Sequence, residues 1–311
     1  MSAIQFKNVS KIYRKGFTAK KVHALKGVTF SVSSDGVTGF VGPNGAGKTT
    51  SIKIALGLVR PTHGEVYLRG VNSSDHRARC STAYVSEQPY LYPYLTVAEH
   101  LKFFYRLLEL EKPKESEVVR KALERVGLVS VRSRKVRELS KGMQQRLNIA
   151  QALLGDPGLI IMDEPMSGLD PLGRHMVRDL IGELSSEGKA IFFSTHVLED
   201  IESLCDRVVA LSAGKVVFDG DMAKLAARGC TGVEIVVPSL PENLYNRLKE
   251  QGCTILKLST GAVKLSVGSE AASNDCQRLL HAHDVLPTMI SPRLLPLEVV
   301  LYQKETKVEA S

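Results

Sequence analysis

The sequence contains no tryptophan, and only 6% of its residues are aromatic. Its five cysteines are odd in number, widely scattered and never spaced as Cys-x-x-Cys, which argues against a disulfide framework or a zinc site. No apolar run approaches the roughly 18 to 20 residues that a membrane span needs. The N-terminus shows no basic segment followed by an apolar one, so no secretory signal is visible. These absences predict a protein that stays in the cytosol.

Charge is the first positive feature, because 41 basic and 33 acidic residues leave a formal net charge of +8. The excess lies before residue 230, since residues 230–311 hold eight basic and nine acidic side chains. Between Lys112 and Arg146 there are eleven Lys or Arg against four Glu. Such a segment is typical of a surface near acidic lipid headgroups or nucleic acid, and equally of a solvated helical face.

The chain alternates short apolar runs with helix-compatible segments up to about residue 220, which predicts a layered α/β domain with a largely parallel sheet. Near-continuous apolarity predicts strands buried on both faces at residues 37–41, 158–162 and 189–193. Between about residues 90 and 156 strand signals stop, and helical spacing predicts an insertion with helices at residues 101–111, 116–126 and 142–154. We therefore predict one domain over residues 1–225, with a helical subdomain over residues 90–156.

A second, smaller α+β domain is predicted over residues 230–305. Strand signals occur at residues 232–237, 254–258, 262–267 and 286–290. Helical stretches fill the gaps at residues 241–250, 270–282 and 295–304. The order strand-helix-strand-strand-helix-strand predicts a ferredoxin-like unit.

A phosphate-binding loop is predicted where the first buried strand ends, because residues 42–49 have the spacing Gly-x4-Gly-Lys-Ser/Thr. Its glycines let consecutive backbone N–H groups point inward, and a helix predicted over residues 49–58 adds its positive end. Lys48 would bind the β- and γ-phosphates, and the Thr49 hydroxyl would ligate Mg²⁺. The predicted nucleotide-binding residues are Gly42, Pro43, Asn44, Gly45, Ala46, Gly47, Lys48, Thr49 and Thr50.

Acidic and polar side chains at other strand ends supply the rest of a hydrolytic site. Asp163 follows the apolar run at residues 159–162 and is the predicted ligand on the metal side, while Glu164 is the predicted base that polarises the attacking water. His196 follows a predicted strand and would face the γ-phosphate. Gln88, which precedes a proline, would reach Mg²⁺ or the attacking water, although the same residues suit a plain turn.

A signature motif lies at residues 139–146, where Leu-Ser-Lys-Gly-Met-Gln-Gln-Arg resembles the Leu-Ser-Gly-Gly-Gln signature of ABC transporter ATPases. Together with the phosphate loop, Gln88, Asp163-Glu164, Ser167-Gly-Leu-Asp170 and His196, in that order, the resemblance covers residues 1 to about 220. Lys141 and Met143 depart from the two glycines of the consensus. Because Ser140 and Gly142 are retained, the phosphate-facing roles are kept.

The resemblance implies a head-to-tail dimer in which ATP and Mg²⁺ lie between the phosphate loop of one subunit and the signature of the other. Residues reaching over from the opposing subunit would be Ser140, Gly142, Gln144 and Asp170. Tyr13 resembles the family's aromatic residue that stacks on adenine, with Phe17 as a rival. Hydrolysis would then open the interface by removing contacts to the shared γ-phosphate.

The resemblance further implies an ATPase subunit of an exporter, peripheral to the inner face of the cell membrane. Its expected partners are a second copy or a paralogous ATPase and separate transmembrane permease subunits, with no nucleic acid. Residues 295–301 resemble a motif that ends a small extension in one exporter branch, for which we expect a structural or dimerising role. Two alternatives stay open, namely a soluble ABC-type ATPase that acts on ribosomes or DNA and a small-molecule regulatory role for residues 230–311.

Overall fold

The computed structural model describes residues 2–15, 20–110, 112–295 and 297–302. The chain divides into two compact units, Met1–Met222 and Ala223–Ser311. Strands of the first unit are β1 (Ser2–Lys15), β2 (Lys20–Ser33), β3 (Val37–Val41), β4 (His63–Leu68), β5 (Val71–Asn72), β6 (Thr82–Val85), β7 (Leu159–Asp163), β8 (Ala190–Thr195), β9 (Arg207–Ser212) and β10 (Lys215–Asp221). Its helices are α1 (Lys48–Ala55), α2 (Val97–Leu107), α3 (Glu115–Arg125), α4 (Lys141–Leu153), α5 (Pro171–Ser186) and α6 (Leu198–Leu204).

A six-stranded sheet in the order β10-β9-β3-β8-β7-β6 forms the centre of this unit. Neighbouring strands run parallel, except that β10 is antiparallel to β9. Every residue of β3, β7 and β8 is buried, as expected for strands covered on both faces. The predicted α/β fold with a mostly parallel sheet is confirmed, and β7 and β8 each begin one residue later than predicted.

A second, antiparallel sheet has the order β2-β1-β4-β5. Its apolar face packs on the central sheet through phenylalanine rings. Phe6 and Phe30 stack with centroids 4.2 Å apart, Phe30 lies 5.4 Å from Phe40 of β3, and Phe40 lies 5.2 Å from Phe192 of β8. This ring column joins the two sheets through one buried core.

Helices α2, α3 and α4 occupy the predicted helical region, where the described residues between β6 and β7 form no strand beyond a single bridge between Thr96 and Lys135. The first helix begins at Val97 rather than residue 101, because Thr96 and Glu99 form a reciprocal capping box. It ends at Leu107, and the predicted end, residue 111, lies outside the described residues.

The second unit has a four-stranded sheet with two helices packed on it. Its elements are α7 (Met222–Gly229), β11 (Cys230–Val237), α8 (Glu242–Glu250), β12 (Thr254–Lys257), β13 (Val263–Val267), α9 (Glu270–Ala282), β14 (Met289–Leu294) and α10 (Leu297–Tyr302). All strand pairs are antiparallel, in the order β12-β13-β11-β14. The predicted ferredoxin-like topology is confirmed. Within the described part of the chain, no helix is long and apolar enough to cross a membrane.

Candidate active site

The loop between β3 and α1 holds its shape through glycines that no larger residue could replace. A Cβ atom on Gly42 would lie 2.3 Å from the Leu211 carbonyl oxygen, and Gly47 has a φ of +112°. The Ala46 N–H donates to the Pro43 carbonyl at 3.1 Å. Gly47 precedes the first turn of α1 and gives it no side-chain cap, so the positive end of the helix faces the loop.

Lys48 folds back over this loop rather than out into solvent. Its ammonium group donates to the Gly42 carbonyl at 2.5 Å and lies 3.3 Å from a carboxylate oxygen of Glu164. The residue is only 6% exposed. The ammonium group also lies 3.4 Å from the Pro43 carbonyl, and a buried cation held by two carbonyls and one carboxylate is suited to receive an anionic ligand.

The carboxyl ends of β7 and β8 place the acid pair beside this lysine. Because Asp163 and Ser194 are paired across the two parallel strands, the Ser194 hydroxyl donates to Asp163 at 2.6 Å. The same hydroxyl accepts from the Glu164 N–H at 3.0 Å. Ser194 therefore fixes both acids, although the sequence reasoning assigned it no role. Burial and the nearby charge of Asp163 raise the pKa of Tyr84 to about 12, so its phenol stays neutral.

Glu164 bridges two predicted site residues, because one of its oxygens faces Lys48 and the other lies 2.9 Å from Nδ1 of His196. Glu164 is largely buried, whereas the imidazole is half-exposed. A carboxylate held in this way by its own backbone and two side chains has a defined orientation, as a general base requires. The structure thus brings together Lys48, Asp163, Glu164 and His196.

A cavity of about 380 Å³ lies over the loop. It is lined by Val22, His23, Ala24, Pro43, Asn44, Gly45, Gly47, Lys48, Thr49, Thr50, Glu87, Glu164, Ser167 and His196. Gly45 has a φ of +82° and nothing within 4 Å of the position of a Cβ atom, so the backbone lies open to a ligand there. Sequence reasoning missed the wall formed by β2 and the contributions of Glu87 and Ser167. Ser167 belongs to the Ser167-Gly-Leu-Asp170 motif, to which no cavity contact was assigned, and nothing in the sequence around Val22–Ala24 or at Glu87 marks a binding site.

The residues present also fit a hard divalent cation held jointly with a substrate. Asp163 and Thr49 offer a carboxylate and a hydroxyl oxygen, the donors that Mg²⁺ prefers. Among the described residues no group of three or more His, Cys, Asp or Glu side chains forms an all-protein metal site. Mg²⁺ bound by few protein oxygens completes its shell with phosphate oxygens and water.

Five of the residues predicted for this site do not line the cavity, namely Gly42, Ala46, Asp163, Tyr13 and Gln88. Tyr13 lies on β1, where it pairs with Val22 of the cavity wall, and the Lys11 ammonium lies 5.0 Å from its ring centroid. Gln88 is exposed, and its carbonyl accepts a 2.8 Å hydrogen bond from the Ser86 hydroxyl. Phe17 lies outside the described residues.

The four residues assigned to an opposing subunit are also absent from the cavity wall. Ser140 caps α4 by accepting from the Met143 N–H at 3.3 Å, and Asp170 caps α5 by accepting from Gly173 at 3.0 Å. Gln144 donates to the Leu139 carbonyl at 3.2 Å. With Gly142, these residues lie at the positive ends of two helices outside the cavity of their own chain.

Fold, loop and acid pair define a P-loop enzyme that hydrolyses a nucleoside triphosphate. Residues 25–167 match a family model described as ABC transporter. An uncharacterized ABC transporter ATP-binding protein of Nostoc sp. is 42% identical over 72% of this chain and 68% of its own length. Nod factor export ATP-binding protein I of Burkholderia lata is 36% identical, over 80% of this chain and 81% of its own.

A solved dimeric structure of an ATP-binding cassette in a post-hydrolysis state, bound to ADP and Pi, matches with a TM-score of 0.64. It is 26% identical and is covered over 98% of its length, against 70% of this chain. This chain belongs to the ABC transporter ATP-binding proteins. It is the ATP-binding subunit of such a transporter, and it is an ATPase.

Proposed function

We propose that two copies of this chain, or one copy and a paralogue, close head to tail around ATP and drive separate permease subunits of an exporter. The observation that carries the proposal is the position of Glu164, which lies between Lys48 and His196 at the edge of the cavity. A carboxylate that contacts both a phosphate-loop lysine and an imidazole is suited to activate water beside the terminal phosphate.

In this proposal Lys48 exchanges its contacts with Gly42 and Glu164 for phosphate oxygens of ATP. Glu164, released from the lysine, accepts a proton from the attacking water, while His196 holds its second oxygen. Thr49 and Asp163 would hold Mg²⁺, which when bound would offset the negative charge of the phosphate oxygens. Gln88 and Tyr13 join the site when their segments move toward bound nucleotide.

The proposed dimer is supported by the residues that the cavity of one chain leaves out. Ser140, Gly142, Gln144 and Asp170 lie near the first turns of α4 and α5, where backbone N–H groups favour an anion. We propose that they complete the ATP site of the opposing subunit. The related cassette whose structure is described as dimeric supports this arrangement.

Export and a membrane-peripheral position are proposed from the relatives. One of them is described as an export ATP-binding protein, and the family consists of transporter subunits. Because the described helices include none that could span a bilayer, the pathway would be formed by other chains. We therefore propose permease partners, and a position at the inner face of the membrane.

The variant Glu164→Gln tests the mechanism. An amide cannot take the proton, so ATP turnover is expected to fall by about 10²–10⁴-fold, whereas ATP binding is retained and a nucleotide-dependent dimer accumulates in size-exclusion chromatography. Glu183→Gln, at an exposed position of α5, is the matched control and should leave both properties unchanged. Undiminished turnover in Glu164→Gln, with no trapped dimer, would refute the proposal.

A further inference from the structure

An acidic side chain in the wall of the cavity over the phosphate loop has no counter-ion. Glu87 lies two residues after the end of β6, and β6 runs parallel to β7, so Glu87 lies near the sheet edge at which Asp163 ends β7. Glu87 lines the cavity together with Lys48, Thr49 and Thr50. In the part of the chain that the structure describes, no cation forms a salt bridge with Glu87. Its side chain is exposed and therefore available to a ligand in the cavity.

Two hydrogen bonds fix the backbone on either side of this carboxylate. The Ser86 hydroxyl donates to the Gln88 carbonyl at 2.8 Å, and the Asn148 amide of α4 donates to the Ser86 carbonyl at 3.1 Å. Glu87 lies between the two anchored residues. Its side chain therefore starts from a defined position in the cavity wall.

Glu87 gives the cavity an uncompensated negative charge. With histidines counted as neutral, the described lining holds one cation, Lys48, and two acids, Glu87 and Glu164. The Lys48 ammonium lies 3.3 Å from Glu164, so these two charges offset each other and that of Glu87 remains. Burial and the nearby charges of Asp163 and Glu87 raise the pKa of Tyr84 to about 12, so both carboxylates act in one electrostatic environment.

An uncompensated carboxylate is unexpected in a site for phosphate groups, because like charges repel each other where little water separates them. The repulsion is offset when a divalent cation lies among the carboxylate and phosphate oxygens, as is usual for Mg²⁺ in nucleotide sites. The charge of Glu87 therefore favours a nucleotide that brings a cation and disfavours one that does not.

Resting on the proposed function, in which Thr49 and Asp163 hold Mg²⁺ beside the phosphates, we infer that Glu87 makes the site selective for the magnesium complex of a nucleotide over the free nucleotide. Glu87 repels the phosphates of the free nucleotide. In the magnesium complex the same carboxylate is attracted by the bound cation. Glu87 is thus a specificity-determining residue, and a neutral side chain at this position would bind the two forms with a smaller difference.

Calorimetric titration of the full chain with ADP tests the inference without turnover. The dissociation constant of ADP is measured in an excess of Mg²⁺ and, separately, in EDTA, and the ratio of the EDTA value to the Mg²⁺ value defines the selectivity. Glu87→Gln keeps the size of the side chain and removes its charge. We expect the ratio to fall roughly tenfold, through binding that is about threefold tighter in EDTA and about threefold weaker with Mg²⁺. Damage to the fold would weaken binding in both solutions and would not produce opposite changes.

Two further variants serve as comparisons. Glu183→Gln removes the same charge from an exposed position of α5 and should leave the ratio unchanged. An unchanged ratio in Glu87→Gln would overturn the inference. A larger fall of the ratio in Gln88→Ala than in Glu87→Gln would overturn it as well, because the neighbouring amide would then determine the selectivity.

Failure of the proposed function is recognised separately in the same titrations. If the unmodified protein bound ADP equally well in EDTA and with Mg²⁺, the site proposed for Mg²⁺ at Thr49 and Asp163 would itself be refuted, together with the selectivity. A Mg²⁺-dependent affinity that Glu87→Gln does not change would refute the role of Glu87 alone.

Discussion

The backbone conformation of Glu164 orients its side chain toward the site. Its φ of +47° is left-handed, a conformation that residues with side chains rarely adopt. The Ser194 hydroxyl and carbonyl both accept from the Glu164 N–H, at 3.0 and 3.2 Å, and hold the residue in this conformation. The motif predicts the acid, but only the pairing of β7 with β8 explains why its side chain turns toward Lys48.

Asp200 is the second decisive residue, because this carboxylate is 1% exposed and joins two arginines of α5. Arg174 donates to it at 3.0 and 3.1 Å, and Arg178 also contacts it. Asp200 follows His196 along the chain, so the pairing ties the His196 segment to the helix that Asp170 caps. We expect Asp200→Asn to lower the free energy of unfolding by about 3 kcal/mol, because both guanidiniums lose their counter-ion.

Denaturant titration of purified variants measures this loss. Asp179→Asn on α5 is the control, since Asp179 is well exposed and forms a 3.5 Å pair with His175, which is exposed as well, so a change within about 0.5 kcal/mol is expected there. Equal stability of the Asp200→Asn variant and the unmodified protein would show that the buried pairing contributes nothing net.

At the residue scale, a short motif predicts side chains that the structure places close together. The loop around Lys48 and the Asp163-Glu164 pair were identified from short motifs, and the described side chains converge. The contacts of Asp200 could not be predicted, because its partners lie 22 and 26 residues away in no recognisable pattern.

Helix α2 depends on a buried histidine for its attachment to α4. The His100 ring is fully buried and lies 2.9 Å from the Gln151 amide oxygen. Burial lowers the pKa of His100 below 6.5, because the charged ring would lose its hydration. The neutral ring therefore stabilises the fold above pH 6.5, and this contribution is lost as the pH falls from there through the lowered pKa of the folded state.

Replacement of this histidine by a residue that cannot titrate isolates the effect. The free energy of unfolding of the unmodified protein should fall more steeply below pH 6.5 than that of His100→Gln. His175→Gln, at an exposed position of α5, should retain the steep fall. Identical pH profiles for the protein and the His100→Gln variant would contradict a buried neutral ring.

The ends of helices and strands can be predicted from sequence where a turn or capping residue interrupts the run of apolar residues. The last strand shows the limit, since apolar residues predicted it over 286–290 but it runs from Met289 to Leu294. The Val285 N–H donates to the Leu280 carbonyl at 2.9 Å, so the preceding residues continue the end of α9. Competition between a helix end and a strand start is not visible in apolarity alone.

At the scale of the whole molecule, the second unit has a hydrophobic core of its own. Leu265 is fully buried in that core, between Ile235 of β11 and Ile255 of β12 along the sheet. Leu265→Ala is expected to cost the second unit about 3 kcal/mol by leaving a cavity. Because the residues proposed for catalysis belong to the first unit, ATP turnover should stay unchanged below the unfolding transition.

Chemical unfolding and ATPase assays on the same sample separate the two effects. Leu256→Ala, at a position 58% exposed on β12, is the control and should change stability by less than about 1 kcal/mol. Loss of turnover in step with the loss of stability in Leu265→Ala would show that the two units unfold as one.

The phenylalanine column between the sheets has a mechanical consequence. Phe30 belongs to the same strand as the Val22–Ala24 wall of the cavity, and Phe40 lies two residues before the phosphate loop. Because the packed rings resist sliding of one sheet over the other, the Val22–Ala24 wall and the phosphate loop are held in a fixed relative position. We therefore expect the Val22–Ala24 wall and the phosphate loop to keep a constant separation during turnover.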